Sequence, residues 1–204
     1  MGGFAASPMP NPGGFDAVVL IGGRSRRMGR DKARLEVGGI PLWRRQAGIL
    51  VESGADPVRL VLRVRQHSFG WRGGELRDPR PDAGPLAGIV AALGAADCAL
   101  TAVLAVDLPR IESDWFIRLR RRARAGRGVV VHGPQGFEPL AALYPRAALG
   151  IAGARLATSR FALQGLITEL VDRGLMTVVT CRPDRLRQLE NWNSPADRAR
   201  SSVP

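Results

Sequence analysis

The stretch DAVVLIGG, residues 16–23, is a short apolar run that ends in two glycines. A run without polar alternation is typical of a strand that is buried on both faces of a parallel sheet. Because such strands and helical patterns alternate along the chain, we predict an α/β fold with a Rossmann-like, doubly wound, mostly parallel sheet and helices on both faces. Further strands are predicted at 58–64, 98–106, 128–131, 138–144 and 176–180, and helices at 41–53, 84–96, 112–125, 161–173 and from Ser194 onward.

The length and composition are those of one globular domain. The chain has 204 residues, of which 45% are apolar and 24% charged, so general disorder is excluded. Residues 1–15 are rich in glycine, proline and alanine and lack periodicity, so we expect a disordered N-terminal tail and a single domain at 16–204. The apolar runs are too short to cross a bilayer, and residues 1–15 lack the features of a signal peptide. We therefore expect a cytoplasmic protein without a membrane partner.

The net charge and the residue types limit the classes of partner that the chain is expected to bind. The formal net charge is +12, which favours phosphate-bearing partners. Aromatic residues make up only 5% of the chain and form no cluster on which bases could stack, so a nucleic-acid partner is not expected. The two cysteines and two histidines have no metal-binding spacing. A metal ligand would therefore be a carboxylate, the ligand type that suits Mg²⁺.

The loop after the first predicted strand carries a dense positive charge. Residues 20–35 read LIGGRSRRMGRDKARL, with five basic residues between positions 24 and 32. Gly22 and Gly23 lack a Cβ, so a phosphate can approach the main chain closely. Of the 30 basic residues in the chain, all but Lys32 are arginine, and a lysine is a compact point charge where arginine is a broad fork. The pattern favours a triphosphate site over the alternative, a solvated surface hairpin.

Three more polar positions follow predicted strands or flank a predicted helix. Asp78, or alternatively Asp82, could accept hydrogen bonds from the N1–H and N2–H₂ edge of guanine, although either could be a turn residue. Asp107 follows a buried strand and could hold Mg²⁺ against phosphates, with capping of the next helix as the alternative. Asn193 could bind a polar acceptor substrate or cap the last helix.

The segment 20–32 resembles the signature LAGGxSxRMGxDK of nucleotidyltransferases of the molybdenum cofactor guanylyltransferase type. The sequence differs at Ile21, where that family usually has alanine. The segments 78–89, 138–144 and 191–197 resemble the family's D…GPLAGI, xPLxALY and NxNTPED segments, with Ser194 in place of threonine. Arg63 and Arg65 stand where relatives often carry asparagine. The matching signature positions are Leu20, Gly22, Gly23, Ser25, Arg27, Met28, Gly29, Asp31 and Lys32.

The resemblance implies a single-domain fold of the nucleotide-diphospho-sugar transferase type and Mg²⁺-dependent transfer of GMP from GTP to molybdopterin or its molybdenum complex. It implies catalytic roles for Lys32 and Asp107, with Asp107 as the metal ligand, and acceptor binding by Asn191 and Asn193. It also implies transient contacts with proteins that supply or accept the cofactor. The nucleotide-binding residues implied are Leu20, Ile21, Gly22, Gly23, Arg27, Lys32, Asp78 and Asp107.

Other functions remain open at this point. A cytidylyl- or sugar-phosphate nucleotidyltransferase would share the fold, but cytidylyltransferases for this cofactor usually read AAG early in the loop, and Gly22-Gly23 with GPLAG at 84–88 favours GTP. A non-catalytic nucleotide-binding protein is disfavoured because Lys32 and Asp107 are both present. A nucleic-acid-binding module is supported only by the arginine excess.

Overall fold

The computed structural model describes residues 14–21, 32–124 and 126–192. Residues 1–13, the loop 22–31 and the predicted helix from Ser194 lie outside these ranges. The strands are β1 (Asp16–Leu20), β2 (Glu36–Val37), β3 (Ile40–Pro41), β4 (Val58–Leu62), β5 (Glu75–Arg77), β6 (Leu100–Ala105), β7 (Gly128–Gly133), β8 (Gly136–Phe137), β9 (Ala141–Pro145) and β10 (Met176–Thr180). The α-helices are α1 (Leu42–Glu52), α2 (Pro85–Gly94), α3 (Ser113–Arg122), α4 (Leu149–Ala157), α5 (Leu163–Asp172) and α6 (Pro183–Leu186), and 3₁₀ turns occupy Lys32–Arg34, Pro81–Ala83, Arg146–Ala148 and Arg187–Leu189.

The main sheet is mostly parallel, as predicted. Its strand order is β10-β7-β9-β6-β1-β4-β5, with β8 paired to β7. Strand β1 pairs in parallel with both β4 and β6, and β5 extends the sheet in parallel beyond β4. Strand β9 runs antiparallel to β6 and β7, while β10 is parallel to β7. The short strands β2 and β3 form a separate hairpin.

Helices cover both faces of the sheet, which confirms the doubly wound prediction. Side chains alternate between the two faces along a strand. Ala17 and Val19 of β1 therefore belong to one core cluster, together with apolar residues of α1 and α3. Val18 and Leu20 belong to the other, together with apolar residues of α2, α4 and α5. Both faces of β1 are buried, in agreement with its unbroken apolar run.

The structure corrects two predicted boundaries and adds one helix. Phe15, which we placed in the tail, is only 3% exposed and packs in the core, so the domain begins earlier than residue 16. Helix α3 ends at Arg122, before the predicted 125. Helix α4 was not predicted, because two glycines within nine residues lower its intrinsic helix propensity. The burial of Ala152 in the core shows that packing stabilises α4.

No helix in the described ranges has both the length and the apolar composition that a bilayer crossing requires.

Helix α2 packs very close to the sheet at Gly88. A Cβ built on Gly88 would lie 3.0 Å from Leu20 Cδ2 and 3.4 Å from Val61 Cγ1. These neighbours belong to β1 and β4, so the absence of a side chain at Gly88 sets the distance between the helix and two central strands. Gly94 of the same helix has open space around it.

We predict that Gly88→Val lowers the free energy of unfolding by about 1–3 kcal/mol, because overpacking a filled core costs that much. Gly94→Val is the matched control and should have a much smaller effect, since it meets no neighbour. Urea unfolding followed by circular dichroism measures both. Equal unfolding midpoints for the two variants would show that α2 can move away from the sheet without cost.

Candidate active site

The site lies where the parallel strands end. Because β1, β4, β5 and β6 run in the same direction, their carboxyl ends meet at one edge of the sheet. Two main-chain hydrogen bonds continue the pairing at this edge: Ile21 N donates to Val61 O at 3.0 Å, and Val106 N donates to Leu20 O at 3.2 Å. Ile21, the last described residue before the gap at 22–31, therefore lies beside the end of β6.

Lys32 and Asp107 form an ion pair across this edge. The Lys32 Nζ lies 3.4 Å from Asp107 Oδ2, although 75 residues separate them in the chain. The side chains are 17% and 26% exposed, so a ligand can reach both. The 3₁₀ turn that contains Lys32 is anchored by Ala33, which is fully buried. The structure thus brings together the two predicted catalytic residues at the point where the loop 22–31 rejoins the described chain.

The turn that carries Asp107 is held by side chains of α1. Gln46, which is fully buried, donates from Nε2 to Leu108 O at 2.6 Å, and Arg45 Nε donates to Pro109 O at 3.1 Å. These bonds fix the backbone on the C-terminal side of Asp107. Among the described residues, α3 has Glu112 as its N-cap without a side-chain capping bond, so helix capping by Asp107 is not observed.

The C-terminal segment reaches the same turn. Trp192 N donates to Asp107 O at 3.0 Å, and the Trp192 side chain is 5% exposed within the core. Asn191 is exposed beside this anchored residue. Asn193, the other predicted acceptor-binding residue, lies outside the described ranges. The contact through Trp192 therefore places the start of the NWN segment against the Asp107 turn.

Asp78 is fixed at the end of β5, the edge strand that pairs with β4. Its N–H donates to Leu62 O at 2.8 Å, and its Oδ1 accepts a hydrogen bond from Arg80 N at 2.8 Å. The residue is buried, and burial raises the pKa of its carboxyl, since desolvation disfavours the charged form. The alternative, Asp82, is exposed in the following 3₁₀ turn. The hydrogen bond from Arg80 N holds the Asp78 carboxylate in a defined orientation.

Gly84 ends this turn and begins α2 with φ 63° and ψ −152°, a conformation that essentially only glycine adopts. The glycine of the GPLAG segment is therefore required by the backbone geometry between Asp78 and α2. It closes the segment 78–84, which we call the Asp78 loop.

The remaining predicted nucleotide-binding residues divide into two groups. Leu20 and Ile21 are buried, so a ligand would meet their main chain rather than their side chains. Gly22, Gly23 and Arg27 lie outside the described ranges. Arg63 and Arg65 follow β4, and Arg65 is exposed.

Sequence reasoning missed the residues that hold the site in place. Gln46 offered a signal, because it is a polar residue on the buried face of α1. Arg45, Arg80 and Trp192 offered none, since their contacts are with residues far away in the chain.

The donor set at this edge fits Mg²⁺ bound jointly by protein and substrate. Within the described ranges, no group of three or more His, Cys, Asp or Glu residues could form a cage for a metal. Mg²⁺ is usually bound by one or two carboxylates together with substrate phosphates and water. The single carboxylate of Asp107 matches that mode of binding.

Solved structures share this architecture. The chain superposes on the molybdopterin-guanine dinucleotide biosynthesis protein A from Archaeoglobus fulgidus with a TM-score of 0.69 at 23% identity, covering 91% of this chain and 96% of that one. It superposes on a nucleotidyl transferase from Methanothermobacter with a TM-score of 0.74 at 18% identity, covering 91% and 94%. At these identities the likeness establishes the fold.

Sequence comparison identifies the class and then the family. A model of the MobA-like NTP transferase domain matches residues 17–174. A probable molybdenum cofactor guanylyltransferase from Opitutus terrae is 46% identical over 193 residues, which are 93% of this chain and 96% of that protein. The protein is a transferase enzyme of the nucleotidyltransferase class. It belongs to the MobA-like NTP transferase family, which confirms the resemblance found in the signature at 20–32.

We predict that Asp78→Asn raises the stability of the protein at pH 7. The pKa of Asp78 is raised in the folded state, so ionisation at neutral pH opposes folding, and this penalty disappears as the pH falls below the unfolded-state value of 3.8. Asparagine keeps an oxygen that can accept the Arg80 N–H. Urea unfolding should show a higher midpoint for the variant at pH 7 and a difference that shrinks as the pH is lowered towards 3.8. A lower midpoint at pH 7 would mean that favourable charge interactions hold this carboxylate.

Proposed function

We propose that this enzyme catalyses Mg²⁺-dependent transfer of GMP from GTP to molybdopterin or its molybdenum complex and releases pyrophosphate. The observation that carries the proposal is the Lys32–Asp107 pair, at 3.4 Å, at the carboxyl edge of the sheet. The similarity to a relative named as a probable molybdenum cofactor guanylyltransferase supports the choice of substrates. The signature residues at 20–32 support the nucleotide.

The chemistry requires little of the protein beyond position and charge. An anionic oxygen of the acceptor's terminal phosphate attacks the α-phosphorus of GTP and forms a new P–O bond. The bond from the α-phosphorus to the oxygen that bridges to the β-phosphorus breaks, and its electron pair leaves with pyrophosphate. No general base is needed, because the attacking oxygen is already deprotonated. Catalysis therefore rests on orientation and electrostatic stabilisation.

Lys32 and Asp107 have distinct roles in this proposal. The Lys32 ammonium stabilises negative charge that develops around the α-phosphate. Asp107 is the ligand that would hold Mg²⁺, which when bound neutralises phosphate oxygens and orients the triphosphate. The bonds from Gln46 and Trp192 to the Asp107 turn keep this carboxylate at one position. In this proposal, the bonds from Gln46 and Trp192 limit misalignment of the reacting groups.

The other residues bind the two substrates. Asp78 accepts the N1–H and N2–H₂ donors of guanine, which distinguish it from cytosine. The triphosphate binds Gly22, Gly23 and Arg27 and the main chain at Leu20 and Ile21. Asn191 and Asn193 bind the acceptor.

The cellular setting follows from this reaction. We place the enzyme in the cytoplasm, with a single domain at 16–204, against whose core Phe15 of the predicted tail also packs, and without nucleic-acid or membrane partners. It makes transient contacts with proteins that supply or accept the cofactor.

We predict that Asp107→Asn lowers Mg²⁺-dependent turnover by at least about 10²-fold and leaves the urea midpoint close to that of the wild type. The amide is a poorer ligand for a hard cation, while the main-chain bond from Trp192 is unaffected. Transfer of label from α-labelled GTP to loaded molybdopterin, titrated with Mg²⁺, measures the effect. Unchanged turnover and Mg²⁺ dependence would remove Asp107 from the metal site.

We predict that Lys32→Arg lowers turnover by about 10²-fold with only a modest change in GTP affinity. The charge is kept, but a displacement of the reacting groups on the order of 1 Å costs that much in rate. Arg34→Lys is a matched control in the same 3₁₀ turn, because Arg34 is exposed and packs over the Phe69 ring. The control should keep its turnover. Wild-type turnover in Lys32→Arg would show that any cation suffices at position 32.

A further inference from the structure

Arg80 connects the Asp78 loop to a distant part of the chain. Its Nη1 donates to Leu156 O at 2.7 Å and its Nη2 donates to Ser159 Oγ at 3.1 Å. The guanidinium also lies 5.0 Å from the centroid of the Phe161 ring. All three contacts are in the segment 156–161, which comprises the C-terminal end of α4 and most of its connection to α5, and which we call the α4–α5 loop. One side chain thus makes two hydrogen bonds and a cation–π contact to a single loop.

The main chain of Arg80 makes the contact that orients Asp78. Its N–H is the donor to Asp78 Oδ1 at 2.8 Å, and its carbonyl accepts from Ala83 N at 3.0 Å. Arg80 therefore joins two sets of contacts, since its main chain bonds to Asp78 and Ala83 and its side chain bonds to the α4–α5 loop. The position of the carboxylate is therefore coupled, through one residue, to the α4–α5 loop.

The α4–α5 loop is itself firmly held. Arg155 is buried, donates from Nη2 to Ala162 O at 3.3 Å, and pairs with Glu169 Oε2 at 3.3 Å. Ser159 has φ 58°, a left-handed conformation that is uncommon outside glycine and persists only when the surroundings enforce it. The loop is therefore a fixed support for the exposed guanidinium of Arg80.

We infer that Arg80 is a positioning residue for guanine selection: it anchors the Asp78 loop to the α4–α5 loop and so holds the Asp78 carboxylate in register with the base. This inference rests on the proposed function of Asp78. An ionised carboxylate has about four acceptor positions, so the bond to Arg80 leaves capacity for both guanine donors. Arginine suits this task because its planar fork reaches two acceptors and stacks on a ring, which lysine cannot do together.

The contacts of Arg80 are exposed, and exposed contacts add little to stability. A role in stability alone would leave base discrimination unchanged. A positioning role changes base discrimination instead, so the two roles can be separated by measuring both quantities.

The test compares binding of GTP with binding of ITP, which lacks the 2-amino group. Wild-type protein should prefer GTP by on the order of 10-fold, the effect of one hydrogen bond to a charged group. In Arg80→Ala this ratio should fall to about 2-fold, because GTP loses more affinity than ITP, which keeps only the N1–H donor, and the urea midpoint should be nearly unchanged. The ratio for Arg80→Lys should lie between those of the wild type and Arg80→Ala.

Arg160→Ala is the matched control, because its side chain contacts Thr158 Oγ1 within the same loop at 3.2 Å, and it should keep the wild-type ratio.

Combining Arg80→Ala with Asp78→Asn shows whether Arg80 acts through Asp78. In Asp78→Asn the preference for GTP should already be lost, and adding Arg80→Ala should change the ratio no further. If Asp78→Asn loses the preference and Arg80→Ala keeps it, the inference is wrong while the role of Asp78 stands. If Asp78→Asn keeps the preference, the role of Asp78 and the inference fail together, and the Asp107 variant still tests GMP transfer. Should Arg80→Ala unfold, Ser159→Ala removes one of the two hydrogen bonds and must lower the ratio in the same direction.

Discussion

The parallel pairing of β1 with β6 is the constraint on which the site depends. The register pairs Asp16 with Thr101 and Leu20 with Ala105, so both strands end at the same level. The end of β1 therefore lies beside the turn that carries Asp107, as the bond from Val106 N to Leu20 O shows. A slip of one residue would exchange the two faces of β1 and move Leu20 from one core cluster to the other, which burial on both sides opposes.

The contacts around the site fix the positions of its residues more than they alter the reactivity of those residues. The Asp107 turn is bonded to α1 through Arg45 and Gln46 and to the C-terminal segment through Trp192. Phosphoryl transfer gains most from placing charge near the reacting phosphate, so these supporting bonds matter as much as the charged groups. The exceptional lysine in an arginine-rich chain is consistent with a position where shape is selected as well as charge.

The sequence predicted those parts of the fold that leave a local signal. The apolar run of β1, the small-residue helix α2 and the buried strand β6 were all expected at close to their observed bounds. The family resemblance implied catalytic roles for both Lys32 and Asp107, and the structure places their charged groups 3.4 Å apart. The reversed direction of β9 was not expected, since a buried strand has the same pattern in either direction. Strand β5, with three residues after a glycine-rich loop, was too short to detect. The anchoring of Arg80 on Leu156 and Ser159 joins positions that only the folded chain brings together.

The central claim is that the nucleotide transferred is GMP. The most direct test gives the enzyme equal concentrations of GTP and CTP together with loaded molybdopterin and Mg²⁺, and identifies the dinucleotide products by mass. The account predicts that the guanine dinucleotide dominates by at least about 10-fold, because cytosine lacks the paired donors that Asp78 would bind. Equal or faster formation of the cytosine dinucleotide would contradict it.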